Sequence, residues 1–538
     1  MDIEEFRKAG YRAVDRICDY YASLSERPVL AQVKPGYLTS ALPHEAPQKG
    51  ESMDVIANDF QTLILPGITH WQHPSFFAYF PSNATFPGML ADIYASSVTN
   101  PGFNWMCSPA CTELESVVMD WAANLLGLSS SFHVASGVGG GAIQSSASDS
   151  ALVAVIAARA RFLIAHPDVP AEKLVIYLST QTHSLGTKTA AILNIPFRAL
   201  PVMPEDAFSL RGDRLRDAYE EDRNAGKWPF VLIATVGSTS SGAVDALEEL
   251  GPITKDFPDF WLHVDAAWAG VSFSCPEYRE QGRLKEINAF ADSCCVNFHK
   301  WGLVNFDAST LWLRDRRHLT EALDVSPYYL RNKHSDEGTL QFRDNFSSDF
   351  PSRLQFFYYI LELIGTVIDY RHWQVALGRR FRSIKLWFVL RSYGVEGFQN
   401  HIRKCVRLGT LFHDLLSTSS IFEVVTPRSL ALTVFRLIIP DAGADASSPP
   451  PASLARPIDL QTLNELNMEL HHRLTEGSGP GGEDDKLFLT RTDLNGKVCI
   501  RLVVGAERTQ EEHVQRAFDI LCKVGKVLLN DVTPIREP

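Results

Sequence analysis

Along the chain, stretches with apolar residues at helical spacing alternate with short continuous apolar runs. Apolar residues at helical spacing among charges predict an amphipathic helix over residues 2–25. The same reasoning predicts helices over residues 53–65, 110–126 and 149–165, and buried strands over 175–178, 230–235 and 261–264. Strands that alternate with helices are typical of a parallel sheet covered on both faces. The pattern therefore predicts an α/β fold.

Lys300 lies in the stretch of residues 292–302, which reads as a short buried strand that runs into a polar turn. An ammonium beside a buried strand is costly unless it is paired or neutral. A desolvated lysine with a lowered pKa is what Schiff-base chemistry requires. A surface or salt-bridged lysine is the alternative, and burial statistics favour it about as often.

Three other stretches favour the chemical interpretation. Asp265 ends a predicted strand, where ligands bind in open α/β sheets, although it could instead cap the next helix. Residues 137–148 run from glycines through hydroxyls into a predicted helix, which makes an anion site or simply a flexible turn. His183 follows a strand and so reaches the same sheet edge, although a lone histidine is usually structural. A phosphate loop, a histidine, an aspartate and a lysine, each after a strand, together indicate a pyridoxal phosphate site.

Longer stretches make a family resemblance specific, and they span nearly the whole chain. They are residues 66–71, 77–81, 108–115, 263–267, 304–307 and 369–374. On these the sequence resembles the aromatic L-amino-acid decarboxylases of the group II pyridoxal-phosphate-dependent decarboxylase family. The resemblance implies decarboxylation of an aromatic L-amino acid, of phenylalanine, tyrosine, tryptophan or DOPA type, to the amine and carbon dioxide.

The resemblance also implies an architecture, the aspartate-aminotransferase type (fold type I) with a parallel-rich sheet. Residues 1–85 would form an N-terminal helical dimerisation segment and 86–373 the large cofactor-binding domain. Residues 374–538 would form a small α+β C-terminal domain. The expected assembly is a homodimer with shared active sites.

The family's site residues carry over by motif. Lys300 would bind the cofactor covalently, Asp265 would pair with the pyridine nitrogen, and His183 would stack on the ring and orient the substrate carboxylate. The other expected cofactor contacts are Ala147, Ser148, Thr239, Ala267, Asn297 and His299. The expected substrate pocket comprises Trp71, Tyr79, Phe80, Ser82, His183 and, from the partner subunit, the residue at position 103, Phe103. No metal is expected.

Three departures from the family bear on the site. Ser82 replaces a threonine of the animal enzymes, Pro101 an isoleucine, and Phe298 a proline. The first two replacements leave open which aromatic ring the substrate pocket prefers. The third alters the turn before the lysine.

Tyr329 aligns with the family's loop tyrosine, which protonates the substrate carbon, and Tyr328 is adjacent. A phenol there favours an amine product, whereas members with phenylalanine make aromatic acetaldehydes by oxidative deamination. An aromatic acetaldehyde synthase is therefore the first alternative. A catalytically silent protein that keeps the fold is the second.

Residues 339–365 have no counterpart in the family pattern. They are either a genuine insertion or a translated intron, since deleting them restores family-like continuity. Sequencing the spliced message decides between the two. The segment leaves the family's substrate-contacting glycine ambiguous between Gly338 and Gly365.

Composition sets outer bounds on the 538-residue chain. A total of 51 Lys and Arg against 63 Asp and Glu gives a net charge of −12, which argues against nucleic acid or an anionic membrane as partner. The nine cysteines match no zinc or secreted disulfide spacing. The N-terminus has no signal-peptide pattern, and no apolar run approaches the roughly 18 residues of a membrane span. A cytoplasmic protein is expected.

Overall fold

A computed structural model describes residues 1–324, 368–440, 459–476 and 486–532 of the chain. The α-helices of these ranges are α1 (Ile3–Ala22), α2 (Tyr37–Ala41), α3 (Met53–Asp59), α4 (Phe86–Val98), α5 (Pro109–Leu126), α6 (Ala147–Ala165), α7 (Leu185–Leu193), α8 (Gly212–Asn224), α9 (Leu247–Asp256), α10 (Leu284–Phe290), α11 (Arg317–Ala322), α12 (Arg382–Ser417), α13 (Leu460–Glu476) and α14 (Glu511–Val532). The strands are β1 (Gly140–Gln144), β2 (Leu174–Ser179), β3 (Phe197–Leu200), β4 (Trp228–Thr235), β5 (Trp261–Asp265), β6 (Ser293–Asn297), β7 (Ser309–Leu313), β8 (Phe422–Val424), β9 (Leu432–Leu437), β10 (Thr490–Leu494) and β11 (Lys497–Val503).

A seven-stranded sheet in the order β1-β7-β6-β5-β4-β2-β3 is the larger of the two sheets in the described residues. Its pairs from β3 through β6 are parallel, and β7 is antiparallel to both of its neighbours. The predicted parallel-rich α/β fold is therefore confirmed. Because β4, β5 and β6 are parallel, their carboxyl ends meet at one edge, where Thr235 pairs with Asp265 and Asp265 with Cys295.

Both faces of this sheet are buried, which explains why its strands read as short continuous apolar runs. In β4, Val231 and Ile233 enter the core that also holds the buried residues of α6. Leu232 and Ala234 point to the opposite core. This period of two follows from the pleat of a strand.

A second, antiparallel sheet in the order β10-β11-β9-β8 lies in the C-terminal part of the chain. In the chain, α13 lies between β9 and β10, and α14 follows β11. Helix α12, which precedes β8, is broken at Gly394, where φ is 60°. An α+β arrangement was expected here. The boundaries at residues 85 and 373 stay predictions.

Helix α1 begins with a capping box between Asp2 and Glu5 and buries none of its residues in the single chain. Its exposed apolar side chains include Ile3, Phe6 and Tyr11, which are 65–73% exposed. Within the described ranges, no helix is both long enough and apolar enough to cross a membrane.

Some predictions fall on residues outside the described ranges. These are Tyr328 and Tyr329, the segment 339–365, and the two candidate glycines Gly338 and Gly365.

Candidate active site

Lys300 lies in a tight turn that directly follows β6. Its N–H donates to the carbonyl of Asn297 at 3.0 Å, and Val304 N–H donates to the carbonyl of Phe298 at 3.2 Å. Position 302 has no room for a side chain, since a Cβ on Gly302 would lie 2.7 Å from Cα of Phe298. The turn thus fixes the lysine at the carboxyl edge of the sheet.

The surroundings of Lys300 favour its neutral amine. Burial lowers the pKa of Lys300 below its ordinary value, while Asp265 and Cys295 oppose that shift and Arg501 adds to it. Its Nζ lies 5.5 Å from the ring centroid of Phe80. A partly desolvated amine of this kind is suited to nucleophilic attack on a carbonyl.

Asp265 is buried at the end of β5 with an exposed fraction of 4%. Its Oδ1 accepts hydrogen bonds from Ala267 N–H at 3.0 Å and from the Cys295 thiol at 3.7 Å. Oδ2 makes no hydrogen bond with the described residues and so is the oxygen left for a ligand. A buried carboxylate in this position favours a protonated, positively charged partner.

His183 follows β2 by a short turn and precedes α7. Its Nδ1 accepts a hydrogen bond from Leu185 N–H at 3.2 Å, which leaves Nε2 as the other ring nitrogen. The side chain stays accessible at the surface of the single chain. The partial burial of the ring lowers the pKa of His183, Asp265 opposes this and Lys300 adds to it.

The glycine-rich segment leads from β1 into the amino end of α6, where Ser146 is the N-cap and its hydroxyl accepts from Asp149 N–H. Ala147 and Ser148 are the first two residues of the helix, whose amides and dipole favour an anion. Asn297 is the buried last residue of β6, and its Oδ1 has no hydrogen-bond partner among the described residues. An unsatisfied buried carboxamide indicates a missing polar ligand.

His299, a further expected cofactor contact, makes a hydrogen bond within the protein, and Thr239 lies in a turn beside the sheet. His299 is buried, and its Nδ1 accepts from Ala308 N–H at 2.9 Å. Burial lowers the pKa of His299 to about 3, so the ring is neutral. Thr239 lies in the turn after β4, where the neighbouring Ser238 and Ser241 hydroxyls hydrogen-bond each other at 2.7 Å.

Two stacked pairs of aromatic rings include residues of the expected substrate pocket, and Phe80, in one of these pairs, lies beside the lysine. Phe80 stacks on Trp268 with centroids 4.2 Å apart and 12° between planes. Trp71 and Tyr79 stack at 5.6 Å and 11°, and both are open to solvent. Phe103 is partly buried, and no ring contact joins it to these residues within the single chain.

Ser82 is tied to the backbone next to the lysine. Its hydroxyl donates to the carbonyl of His299 at 2.9 Å, and the side chain of Asn83 donates to the carbonyl of Lys300 at the same distance. The segment that carries the expected substrate residues is thereby attached to the lysine turn.

Arg501 lies close to the candidate site and was not named from the sequence. It lies on β11, 3% exposed, with its Cζ 5.0 Å from the ring centroid of Phe80. The available signal was an arginine between apolar residues in the strand Lys497–Val503. Trp268, which closes the other side of the ring, was missed as well.

A family model described as "Pyridoxal-dependent decarboxylase conserved domain" matches residues 35–350 and 336–438. The chain belongs to the pyridoxal-dependent decarboxylase family. It is 41% identical to tyrosine decarboxylase 2 of Narcissus pseudonarcissus, over 98% of this chain and 95% of the relative. It is also 41% identical to phenylacetaldehyde synthase of Arabidopsis thaliana, over 98% of both chains. A crystal structure of Oryza sativa TDC with PLP and tryptamine superposes with a TM-score of 0.85 at 34% identity, covering 98% of this chain and 99% of that one.

These findings confirm the family prediction, the pyridoxal phosphate cofactor and the carboxy-lyase class. The described residues also fit that cofactor. The free Oδ2 of Asp265, the open carboxamide of Asn297 and the amino end of α6 offer a cation acceptor and an anion site around one lysine.

Proposed function

We propose that this decarboxylase converts an aromatic L-amino acid to its amine and carbon dioxide. The observation that carries the proposal is the position of Lys300, a lysine with a lowered pKa whose Nζ lies 5.5 Å from the ring centroid of Phe80. The relatives named tyrosine decarboxylase and TDC with tryptamine support an aromatic substrate.

Each polar residue of the site then has a role. Lys300 would hold the cofactor through Nζ, and Asp265 would keep a proton on the pyridine nitrogen with Oδ2. Ala147, Ser148 and Asn297 would hold the phosphate, and Thr239, Ala267 and His299 would shape the remaining cofactor contacts. Pyridoxal phosphate, when bound, supplies the electron sink into which the broken carbon–carboxylate bond releases its electrons.

His183 would stack over the cofactor and face the substrate. Since its pKa is lowered, the imidazole is neutral near pH 7 and can donate or accept one hydrogen bond without repelling a bound ammonium. Its accessibility in the single chain is consistent with a residue that is covered only when ligands bind.

Trp71, Tyr79, Phe80, Ser82 and the partner's Phe103 would contact the substrate ring. The Ser82 hydroxyl already donates its proton to the His299 carbonyl, so only its lone pairs are left for a ring substituent. A pocket of this kind accepts an apolar ring and can also accept a hydroxyl as a hydrogen-bond donor.

Tyr329 would protonate the substrate carbon and so determine an amine product. The synthase relative makes the aldehyde product the second candidate, in which oxygen is consumed and ammonia and peroxide are released. Both candidates share the site described here and differ only after carbon dioxide has left.

We further propose a homodimer, with residues 1–85 as the dimerisation segment. The unburied apolar side chains of α1 support it, because such a face requires a partner in water. Domains at 86–373 and 374–538 and a cytoplasmic location belong to the same proposal. All nine cysteines are thiols, which suits a reducing compartment.

The experiment incubates the purified chain and pyridoxal phosphate with phenylalanine, tyrosine, tryptophan and DOPA. Carbon dioxide, amine, aldehyde and peroxide are measured. We expect carbon dioxide and amine in equal amounts, no activity in Lys300→Ala, and unchanged activity in the exposed control Lys285→Ala. Aldehyde with peroxide would refute the amine product and the assigned role of Tyr329.

Absence of turnover despite bound cofactor would count against the proposal. Repeating the assay on a chain without residues 339–365 would then tell whether that segment blocks an otherwise competent site.

A further inference from the structure

The buried thiol of Cys295 has no role in the proposed function so far. Cys295 and Cys294 are neighbours on β6, and neither side chain is exposed to solvent. Because successive side chains of a strand point to opposite faces of a sheet, the two thiols enter different cores. The core of Cys295 also holds Ala147 and Ala267, two of the expected cofactor contacts. Cys295 therefore lies on the sheet face of these contacts, and Cys294 lies on the opposite face.

Cys295 contacts the carboxylate that is assigned to the pyridine nitrogen. Parallel pairing places Cys295 beside Asp265, and its thiol donates to Asp265 Oδ1 at 3.7 Å. Burial raises the pKa of Cys295 well above its ordinary value, and the charge of Asp265 adds to this, so the thiol keeps its proton and remains a donor. On the other side of Asp265, Thr235 pairs with it, but Thr235 Oγ1 has no hydrogen-bond partner among the described residues. Of the two cross-strand neighbours, Cys295 is thus the one that holds the carboxylate.

Two hydrogen bonds on Oδ1 restrict a carboxylate that one bond would leave free to turn. The terminal torsion of an aspartate side chain is broad and does not by itself select one orientation. Ala267 N–H donates to Oδ1 at 3.0 Å from the chain that follows β5, whereas the Cys295 thiol donates from the neighbouring strand β6. Because the two donors belong to different elements, together they fix the plane of the carboxylate and with it the direction of Oδ2.

We propose that Cys295 is a positioning residue, which holds Asp265 through Oδ1 so that Oδ2 can pair with the pyridine nitrogen of the cofactor. This inference rests on the proposed function and deepens it. Cys295 would act on the cofactor only through Asp265. Removing the thiol should therefore weaken the contact to the ring nitrogen and leave the phosphate contacts as they are.

The test compares two ligands that differ only at the ring nitrogen. These are pyridoxal phosphate and its 1-deaza analogue, which carries a C–H group in place of that nitrogen. The full chain, freed of its cofactor, is titrated with each ligand, and tryptophan fluorescence gives the two dissociation constants. The measured quantity is the ratio of the affinity for pyridoxal phosphate to the affinity for the analogue. A general loosening of the site weakens both ligands and leaves this ratio unchanged.

In Cys295→Ala we expect the ratio to fall about three- to tenfold, because a hydrogen bond to a charged group is worth more than a neutral one although a thiol is a weak donor. Cys295→Ser is close to alanine in size but restores a donor, so its ratio should return to within about twofold of the native chain. Cys295→Val fills the volume without a donor. It should resemble the alanine variant and serves if that variant does not fold.

Cys294→Ala is the matched control. It removes the same thiol from the adjacent position of β6, where the side chain is equally buried. The Cys294 thiol makes no hydrogen bond with the described residues, and it lies on the sheet face opposite to Asp265's donor. The two sites share no partner, so the ratio should stay within about twofold of the native chain even though the cavity costs stability.

An unchanged ratio in Cys295→Ala and Cys295→Val would overturn the inference and leave the thiol a packing group. An equal fall in Cys294→Ala or in Cys295→Ser would overturn it as well, since the effect would then not follow the donor. A higher ratio in Cys295→Ala would mean that the thiol weakens the carboxylate instead of directing it, which also contradicts the inference.

Asp265→Ala separates this inference from the proposed function. Its ratio should fall further than that of Cys295→Ala, because the carboxylate itself is lost. If its ratio stays at the native value, Asp265 does not serve the ring nitrogen, and the site assignment of the proposed function is wrong. If Asp265→Ala lowers the ratio and the two donor-free variants of Cys295 do not, the site assignment stands and only the role of Cys295 is refuted.

Discussion

The ion pair of Glu115 and Arg379 gives the sharpest prediction about stability. The exposed fractions of the two side chains are 5% and 2%. β1 is an edge strand of the large sheet, and Ile143 directs its N–H and carbonyl away from β7. Glu115 Oε1 accepts the N–H at 2.8 Å, and Arg379 Nη2 donates to the carbonyl at 3.3 Å.

The pair thus covers the open edge of the sheet just before the cofactor segment. Replacing Arg379 by methionine keeps most of the volume but leaves the carboxylate of Glu115 buried and unpaired. Removing one partner of a buried pair costs about 3–5 kcal/mol. Adding Glu115→Gln to this variant removes the stranded charge and keeps an acceptor for Ile143 N–H. The double variant should therefore be more stable than Arg379→Met alone.

The assay is urea unfolding followed by tryptophan fluorescence, with variants compared at equal slope. Arg283→Gln, in the exposed pair with Glu248 at 2.7 Å, is the control and should lose no more than about 1 kcal/mol. The reasoning would be refuted if Arg379→Met lost as little as this control, or if the double variant were the least stable of all.

Three other predictions follow from the structure. Burial would raise the pKa of Asp307, but the hydrogen bond from Arg382 at 2.8 Å holds that pKa below its ordinary value. The carboxylate of Asp307 therefore stabilises the fold above its unfolded pKa, and this stabilisation is lost as the pH falls through its folded pKa. Arg382→Gln should move the midpoint of acid unfolding, measured by circular dichroism, to higher pH; an unchanged midpoint would contradict this. Gly302→Ala should reduce bound cofactor, read from its visible absorbance, and cost about 1–3 kcal/mol, because its Cβ would meet the backbone of Phe298; full incorporation would argue against a fixed lysine turn. Deleting residues 339–365 should leave the urea midpoint of the remaining chain nearly unchanged, and a large loss would show that they pack in the core.

The sequence predicted the elements that have a strong local signal. The helix predicted over 149–165 begins at Ala147, and the strand predicted over 261–264 ends one residue later, at Asp265. Strand β7 was not predicted, because an antiparallel strand within an otherwise parallel sheet is decided by distant pairing and not by its own pattern.

The candidate site shows the same limit. Asp265 ends a strand, and Lys300 and His183 each follow one, so topology alone could bring the three residues to one edge. Arg501 comes about two hundred residues after Lys300, on a different sheet. Only the tertiary structure shows that both side chains lie close to the ring of Phe80. An arginine in an apolar strand signals a buried charge but does not say which site it serves.

The ends of the chain segment 325–367 show how the fold can tolerate the unusual residues within it. His372 Nδ1 lies 3.4 Å from the carbonyl of Leu323, and its Nε2 lies 3.8 Å from Asp324 Oδ1. The described residues on the two sides of this segment therefore lie close together, whatever the number of residues between them. The entropy of closing a loop grows only with the logarithm of its length, so extending 16 residues to 43 costs about 0.9 kcal/mol by itself. A cost of this size does not decide whether the domain folds. The effect of residues 339–365 should therefore be sought in catalysis, since they adjoin Tyr329 in the same segment.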